Sequence, residues 1–228
     1  MHEPYLDALA DLFYPRRCAA CDRRSSDVLC RICFDALPRI EGPRCERCGL
    51  PTAFETYVCD ACANVDFGFE TAKAPLKYEG TGKEVVHALK YRGYRTVAER
   101  VMAPLMVGVL DGEVRFDAVV PVPLHRSRMR RRGFNQAALM AGAVANEINT
   151  PLSDRMEAVR KTRDQVELTA QERKTNVSGA FRSREPVHGR ILLVDDVFTT
   201  GATTSECAET LLHAGASEVH ALTFCRTV

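Results

Sequence analysis

Cysteine is the residue type whose spacing in this chain points most directly to chemistry. Eight of the ten cysteines lie before residue 63, in four Cys-x-x-Cys pairs separated by 8, 11 and 10 residues. Such a pair places two sulfurs on one side of a tight turn, and two turns complete a tetrahedral site for Zn²⁺. The pattern therefore predicts two structural zinc sites without an open catalytic position, built from Cys18, Cys21, Cys30, Cys33, Cys45, Cys48, Cys59 and Cys62.

How the pairs share the two ions is open from the sequence. The simplest arrangement is sequential, with the first two pairs on one ion and the last two on the other, and an interleaved arrangement is the alternative. A disulfide framework and an iron–sulfur cluster are the other uses of such thiols. A segment this short buries too little apolar surface to fold alone, and metal binding at about 10–16 kcal/mol per site would supply the missing free energy.

Basic residues surround the cysteine pairs. They can offset the negative charge of a four-thiolate site, and contact with nucleic acid is the alternative role. These residues are Arg16, Arg17, Arg23, Arg24, Arg44 and Arg47.

A second chemical motif spans residues 191–204, where an apolar strand ends in two carboxylates and a Thr/Gly loop opens a helix. Backbone amides at a helix N-terminus form an anion site. Carboxylates repel a polyphosphate but accept hydrogen bonds from sugar hydroxyls, which suits Asp195 and Asp196. The motif predicts a site for a ribose 5-phosphate, with the phosphate held by Thr199, Thr200, Gly201, Ala202 and Thr203.

Five arginines occur among the seven residues from Arg126 to Arg132. One interpretation is a contact surface for pyrophosphate and nucleic acid, and the other is the solvated start of a basic helix. The net charge of the whole chain is only +1, so any attraction for nucleic acid has to be local.

The elements that must position these residues alternate between strand and helix after residue 66. We predict strands at residues 71–78, 116–122, 152–159, 191–194 and 219–224, and helices at residues 83–90, 97–110, 135–148 and 203–213. This alternation predicts an α/β fold with a parallel sheet flanked by helices. Ligands of such sheets lie beyond the carboxyl ends of the strands, where Asp195 and Asp196 fall.

The change in composition predicts two domains, residues 1–66 and 67–228. Ahead of the cysteines, Leu6, Leu9 and Phe13 recur at helical spacing and predict a short helix. The chain has neither a secretory signal nor an apolar run long enough to cross a bilayer. We therefore expect a cytoplasmic protein without an integral membrane segment, in a reducing compartment where thiols bind metal.

The chain resembles the ComF family of competence-associated proteins over nearly its whole length. The cysteine pairs are similar to that family's double zinc ribbon, and residues 191–204 to the phosphoribosyl pyrophosphate loop of type I phosphoribosyltransferases. Further matching motifs are residues 89–93, 120–125, 132–136 and 162–181. The resemblance implies a type I phosphoribosyltransferase fold with a small N-terminal zinc-ribbon module.

The resemblance also implies binding of phosphoribosyl pyrophosphate with Mg²⁺. Residues 123–126 would receive the pyrophosphate, and residues 160–173 would close over the site. At Asp164 the family commonly has proline, so this chain carries an additional acid in the closing segment. The residues expected to act in transfer are Lys90, Arg126, Asp195 and Asp196, while Arg92 and Arg160 would join the phosphate loop in binding the ligand.

Two functions remain open at this point. One is an enzyme that transfers phosphoribose to an unidentified acceptor, with magnesium and basic side chains neutralising the leaving pyrophosphate. The other is a non-catalytic phosphoribosyl-binding module that binds single-stranded DNA. It would act with the DNA-uptake machinery, peripherally at the inner membrane. An acceptor pocket with a base or an amide-reading residue would distinguish them, and the sequence does not locate one.

Overall fold

The computed structural model describes residues 16–110, 112, 115–161 and 176–228. The helix predicted around Leu6, Leu9 and Phe13 lies outside the described residues. So do residues 162–175, which include Asp164 and most of the predicted closing segment.

The elements follow one another in the order that the alternating pattern predicts. In chain order they are α1 (Arg31–Asp35), β1 (Thr71–Lys73), β2 (Leu76–Lys77), α2 (Gly80–Tyr91), a π-helical turn (Ala98–Met102), α3 (Ala103–Val107), β3 (Ala118–Pro121), α4 (Arg126–Arg132), α5 (Gln136–Glu147), β4 (Met156–Ala158), β5 (Phe181–Ser183), β6 (Gly189–Phe198), α6 (Ala202–His213) and β7 (Ala216–Arg226).

A five-stranded parallel sheet forms the centre of the described chain. Both β1 and β2 pair with β7, β7 pairs with β6, and β6 pairs with β3. Side chains of β6 alternate between two cores: Leu192 and Val194 pack with residues of α2, α3 and α5, whereas Ile191 and Leu193 pack with residues of α6. The prediction of a parallel sheet flanked by helices is confirmed.

Several predicted elements differ from the structure in extent. The strand predicted over residues 71–78 is split in two at Pro75, which has no N–H for the ladder. The helix predicted over residues 97–110 begins with the π-helical turn, and residues 126–132 form a complete helix. The strand predicted over residues 152–159 is restricted to β4, which pairs antiparallel with β5, a strand that was not predicted.

The cysteine-rich part is attached to the edge of the sheet. Residues 38–40 run antiparallel to β2: Ile40 N–H donates to the Pro75 carbonyl and Lys77 N–H to the Pro38 carbonyl, both at 2.9 Å. Cys18, Cys33 and Leu37 share a hydrophobic core with α2. The pairing covers an edge that would otherwise expose unpaired backbone groups.

None of the helices among the described residues has the length and apolar character needed to cross a membrane.

Candidate functional site

The eight N-terminal cysteines form two groups of four. Within each group the Sγ atoms all lie within 4.8 Å of one another, and the groups follow the sequential arrangement. In the second group the Sγ atoms of Cys45 and Cys62, and those of Cys48 and Cys59, are 3.6 Å apart. Four sulfurs at about 2.3 Å from a tetrahedral Zn²⁺ would be about 3.8 Å apart. Both groups therefore have the ligand set and spacing of a structural zinc site.

Backbone N–H groups prepare the first thiol of each group for a metal ion. Cys30 N–H donates to Cys18 Sγ at 3.4 Å, and Cys59 N–H donates to Cys45 Sγ at 3.3 Å. Burial acts to raise the pKa of these two thiols, but hydrogen bonds lower the pKa of Cys18 to about 6 and that of Cys45 to about 7. Thiolate is the form that binds zinc, so this donor set fits the ion.

A cleft of about 620 Å³ opens at the carboxyl ends of β3 and β6, where ligands of parallel sheets bind. Its floor comes from the ends of β6 and α2, and one wall comes from α4. The amino end of α6 borders it on another side. The predicted ligand residues among its lining are Lys90, Arg160, Asp195, Asp196, Thr199, Gly201, Ala202 and Thr203.

Lys90 and Asp196 form a largely buried ion pair in the floor of the cleft, with 17% and 7% of their side-chain surfaces exposed. Burial alone would lower the pKa of Lys90, but the charge of Asp196, helped by Asp195, raises it above the usual lysine value. Burial would likewise raise the pKa of Asp196, but Lys90 lowers it. Both partners are therefore charged at neutral pH.

The pKa of Asp195 is shifted in the opposite direction. Burial, and then the negative charge of Asp196, raise the pKa of Asp195 well above the ordinary carboxyl value of 3.8. Its Oδ1 accepts a hydrogen bond of 2.8 Å from the Asp196 N–H. Hydroxyl donors or a cation entering the cleft would favour the ionised form of Asp195.

The loop between β6 and α6 depends on Gly201, the N-cap residue of α6. Its φ is 78°, in the left-handed region that favours glycine. A Cβ at this position would lie 2.7 Å from the Phe198 ring and 2.8 Å from the Phe67 ring. The two rings lie directly beneath the turn, so only glycine fits. The amino end of α6, from Gly201 to Thr204, borders the cleft.

Thr200 differs from the other residues of the loop. It is not among the residues that line the cleft. Its Oγ1 is buried and has no hydrogen-bond partner among the described residues.

Helix α4 forms the basic wall of the cleft. It is capped by His125, whose Nδ1 accepts the Ser127 N–H at 3.2 Å. Arg128, Arg131 and Arg132 line the cleft from this helix. The cap holds the amino end of this short arginine-rich helix, and Gly133, whose N–H donates to the Met129 carbonyl, ends it.

Three predicted basic ligand residues lie in different settings. Arg160 lines the cleft and donates to the Ser178 carbonyl at 2.5 Å. Arg126, the exposed first residue of α4, and Arg92 are not among the residues that line the cleft. Arg92 instead donates to the Ala19 carbonyl, within the first cysteine group, at 2.5 Å. Direct contact of Arg92 and Arg126 with a ligand stays a prediction.

Tyr91 lies on the rim of the cleft and was not predicted as a site residue. Its side chain is 66% exposed, and the Arg132 guanidinium lies 5.3 Å from its ring centroid. Tyr78 and Gln136 also line the cleft without having been predicted. Tyr91 and Gln136 had a local signal, because they lie within the motifs at residues 89–93 and 132–136, whereas Tyr78 lies in neither motif.

Two regions of the chain match known domain families. Residues 9–63 match the double zinc ribbon domain, and residues 135–227 match the phosphoribosyl transferase domain. With the two four-cysteine groups and the parallel sheet, these matches define the class: a phosphoribosyltransferase-type domain that carries a double zinc ribbon.

Relatives match nearly the whole chain. "DNA utilization protein YhgH" of Escherichia coli is 32% identical and aligns with 88% of this chain and 91% of its own length. "Competence protein F" of Haemophilus influenzae is 26% identical and aligns with 91% of this chain and 95% of its own length. "Competence protein ComFC" of Bacillus subtilis is 26% identical and aligns with 90% of this chain and 86% of its own length. This chain belongs to the ComF family, as its motifs predict.

The two aspartates should affect stability in opposite ways. Asp196→Asn leaves Lys90 buried without its countercharge, and should lower the free energy of unfolding by about 3 kcal/mol or more. Asp195→Asn removes a carboxyl group whose ionised form is disfavoured, and should not destabilise the protein at neutral pH. Thermal unfolding of the zinc-loaded variants without ligand measures both.

The effect of Asp195→Asn should also depend on pH with a defined sign. The folded protein holds the Asp195 proton more tightly than the unfolded chain does, so wild-type stability falls as pH rises above the ordinary value of 3.8. Asparagine has no such proton, so the advantage of the variant should grow as pH rises above the ordinary value of 3.8. A stability difference between wild type and Asp195→Asn that does not change with pH would contradict the raised pKa of Asp195. An Asp196→Asn variant as stable as wild type would contradict the structural role of the ion pair.

Gly201→Ala should destabilise the protein more than a matched glycine substitution. Gly42 has nearly the same φ, 77°, but no atom of the described residues lies within 4 Å of where its methyl group would be. Gly42→Ala therefore measures backbone strain alone, about 1–2 kcal/mol. Gly201→Ala adds a clash with Phe198 and Phe67, which should cost about 1–3 kcal/mol more. Thermal unfolding compares the two variants. Equal losses of stability would show that the Phe198 and Phe67 rings move aside at no cost.

Proposed function

We propose that this protein binds phosphoribosyl pyrophosphate with Mg²⁺ in the cleft and transfers the phosphoribosyl group to an acceptor. One observation carries the proposal: the carboxylates at the end of β6, the amino end of α6 and the arginines of α4 surround a single cleft. A phosphate, a hydroxyl-bearing sugar and a second polyanion would each face a group of matching chemistry. Membership of a family with a phosphoribosyl transferase domain supports the proposal.

Each side of the cleft has a role in this proposal. The 5-phosphate is held at the amino end of α6 by backbone N–H groups of the loop. The ribose hydroxyls donate to Asp195 and Asp196, which favours the ionised form of Asp195. Lys90 keeps Asp196 charged and in place. The pyrophosphate lies against the basic wall, near Arg128 and Arg131.

Transfer breaks the bond between the anomeric carbon of the ribose and a pyrophosphate oxygen, and the electron pair leaves with the pyrophosphate. A lone pair of the acceptor forms the new bond to the same carbon. The transition state resembles an oxocarbenium ion, so carboxylates beside the ribose stabilise its positive charge. The arginines stabilise the leaving group.

Mg²⁺, when bound, would neutralise charge on the pyrophosphate oxygens. The cleft provides oxygen donors of the kind the ion prefers. Asp195 has no ion-pair partner among the described residues, so its carboxyl group is available to substrate hydroxyls or to water on the ion.

Calorimetric titration tests the binding step. Phosphoribosyl pyrophosphate with Mg²⁺ should bind the zinc-loaded protein, and more tightly than ribose 5-phosphate, which lacks the group that faces the arginines. Asp195→Asn should weaken binding by about tenfold or more, because a hydrogen bond to a charged group contributes about 1.5–3 kcal/mol.

The matched control is Asp154→Asn, an exposed aspartate that is not among the residues lining the cleft, and it should bind as wild type does. Release of pyrophosphate in the presence of trial acceptors then tests transfer. Failure of the wild-type protein to bind phosphoribosyl pyrophosphate would overturn the proposal, and binding without release for any acceptor would favour a non-catalytic module.

A second candidate function, binding of single-stranded DNA, is favoured by the exposed Tyr91 ring beside Arg132 at the rim of the cleft. Proteins hold single strands by stacking bases on aromatic rings within a basic groove. Arg130 and Arg131 are exposed on the adjacent α4 and extend the basic surface. The names of the relatives, which refer to DNA utilization and competence, support a role connected with DNA.

Arginines of the cysteine-rich part make a weaker case for DNA contact. Arg17 pairs with Asp22 at 3.3 Å, and Arg31 pairs with Asp35 at 2.8 Å. These pairs neutralise the two guanidinium groups locally. The proposed DNA surface is therefore the rim of the cleft and α4.

Two kinds of substitution should alter single-strand binding differently. Replacing both Arg130 and Arg131 by Gln should reduce the slope of log affinity against log salt by about 1.4, since each phosphate contact contributes about 0.7 on a single strand. Tyr91→Leu should instead lower affinity at every salt concentration, by about 1–3 kcal/mol, without changing the slope. Fluorescence anisotropy of a labelled oligothymidylate measures both.

The control for the charge change is the double variant Arg17→Gln and Arg31→Gln, which should bind as wild type does. An equal reduction of the salt slope in this control variant would show that the contacts with DNA phosphates are not specific to α4. An unchanged slope in the α4 variant would exclude α4 as the DNA surface.

A further inference from the structure

Arg226 is a buried cation beneath the phosphate loop. It is the last residue of β7, and 5% of its surface is exposed. Its Nη1 donates to the Cys48 carbonyl in the second cysteine group, and its guanidinium lies 5.3 Å from the centroid of the Phe198 ring. Among the described residues, no carboxylate lies within ion-pair distance of it.

A buried guanidinium without a carboxylate needs another source of negative charge. The second cysteine group, which Arg226 contacts at Cys48, can supply this negative charge, because four thiolates carry more charge than one Zn²⁺ ion neutralises. The carbonyl of Cys48 adds a directed acceptor on the same side. The position of Arg226 therefore depends on an intact second cysteine group.

Arg226 and the residue after it hold the start of the phosphate loop. Thr227 N–H donates to the Phe198 carbonyl at 2.9 Å, and Thr227 Oγ1 donates to the Thr199 carbonyl at 3.4 Å. The Phe198 ring, on which the guanidinium stacks, is one of the two rings beneath Gly201. A shift of Arg226 would displace both the backbone and the floor of the loop.

A second path joins the same cysteine group to the other ring. Arg47 Nη2 donates to the Phe67 carbonyl at 3.3 Å, and the Arg47 carbonyl accepts from Ala72 N–H at 2.8 Å. Gly49 lies so close to β1 that a Cβ there would be 2.6 Å from the Ala72 carbonyl oxygen. Residues 47–49 therefore contact the sheet on one side and the loop's aromatic floor on the other.

We propose that Arg226 couples the second cysteine group to the phosphate loop, so that the loop keeps its anion-binding conformation only while that group holds its metal ion. The inference rests on the proposed function for the identity of the anion. The first cysteine group packs on α2 and the main core, away from the loop, and has no such role. By reciprocity, a ligand in the loop retains the metal ion of the second group.

The first test compares Arg226→Met with Arg17→Met. Both arginines donate to a backbone carbonyl of a cysteine turn, Cys48 for Arg226 and Asp22 for Arg17. Arg226→Met should weaken binding of phosphoribosyl pyrophosphate by about tenfold or more, within the usual range of coupling between sites, while zinc content stays at two ions. Arg17→Met should bind as wild type does. Binding by Arg226→Met within about twofold of wild type would overturn the proposal.

The second test uses the wild-type protein and a chromophoric zinc chelator. In competition with the chelator at equilibrium, saturating phosphoribosyl pyrophosphate should raise the zinc affinity of one of the two sites by about tenfold and leave the other unchanged. Zinc affinities that are the same with and without tightly bound ligand at both sites would overturn the coupling. This test needs no variant, so a folding defect in Arg226→Met does not affect it.

Amide hydrogen exchange separates this proposal from the proposed function, because it needs no ligand. Exchange in residues 198–203 should be faster after chelation, and faster in Arg226→Met than in Arg17→Met. Unchanged exchange there after loss of the second metal ion would overturn the coupling even if phosphoribosyl pyrophosphate binds. Faster exchange in a protein that does not bind it would keep the coupling and refute the proposed ligand.

Discussion

The ion pair between Lys90 and Asp196 ties α2 to β6 at the point where the central sheet meets the cleft. A buried ammonium and a buried carboxylate are tolerated because each satisfies the other, and neither can move without leaving its partner unpaired. The pair therefore fixes two elements that are far apart in the chain. It also distinguishes the two aspartates: Asp196 has a cation partner within the protein, whereas Asp195 has no ion-pair partner among the described residues.

The rest of the cleft places unlike charges around this pair without neutralising them. The amino end of α6 offers backbone N–H groups on one side, and Arg128 and Arg131 offer guanidinium groups on another. The acidic pair lies in the floor between them. This order of positive, acidic and positive surfaces suits a ligand with a hydroxyl-bearing centre and an anionic group at each end. A nucleic-acid backbone is anionic along its whole length and would not match the carboxylates in the floor. The arginine wall, in contrast, can bind both kinds of ligand.

The parts of the site that could be predicted from sequence are those whose chemistry is local. The cysteine pairs and the loop from Asp195 to Thr203 each contain most of their own partners within a few residues. Lys90 is different: its pairing with Asp196 depends on how α2 packs on the sheet. Arg92 is only two residues further on, yet its guanidinium reaches the Ala19 carbonyl. Helix periodicity alone could not separate these two side chains, because the contact of Lys90 depends on how α2 packs on the sheet and that of Arg92 on how the cysteine-rich part packs on α2.

The same reason explains why Phe67, Phe198 and Arg226 had no signal as site residues. Their contacts depend on the parallel register of β7 with β6 and on the docking of residues 47–49 against β1. Each cysteine group thus supports a different side of the cleft, since the first packs on the helix that carries Lys90 and the second lies beneath the loop at Gly201. Both α2 and the loop end at the open cleft, where no further element of the described chain covers them. A pair of metal sites at the covered edge of the sheet gives both of them a rigid base.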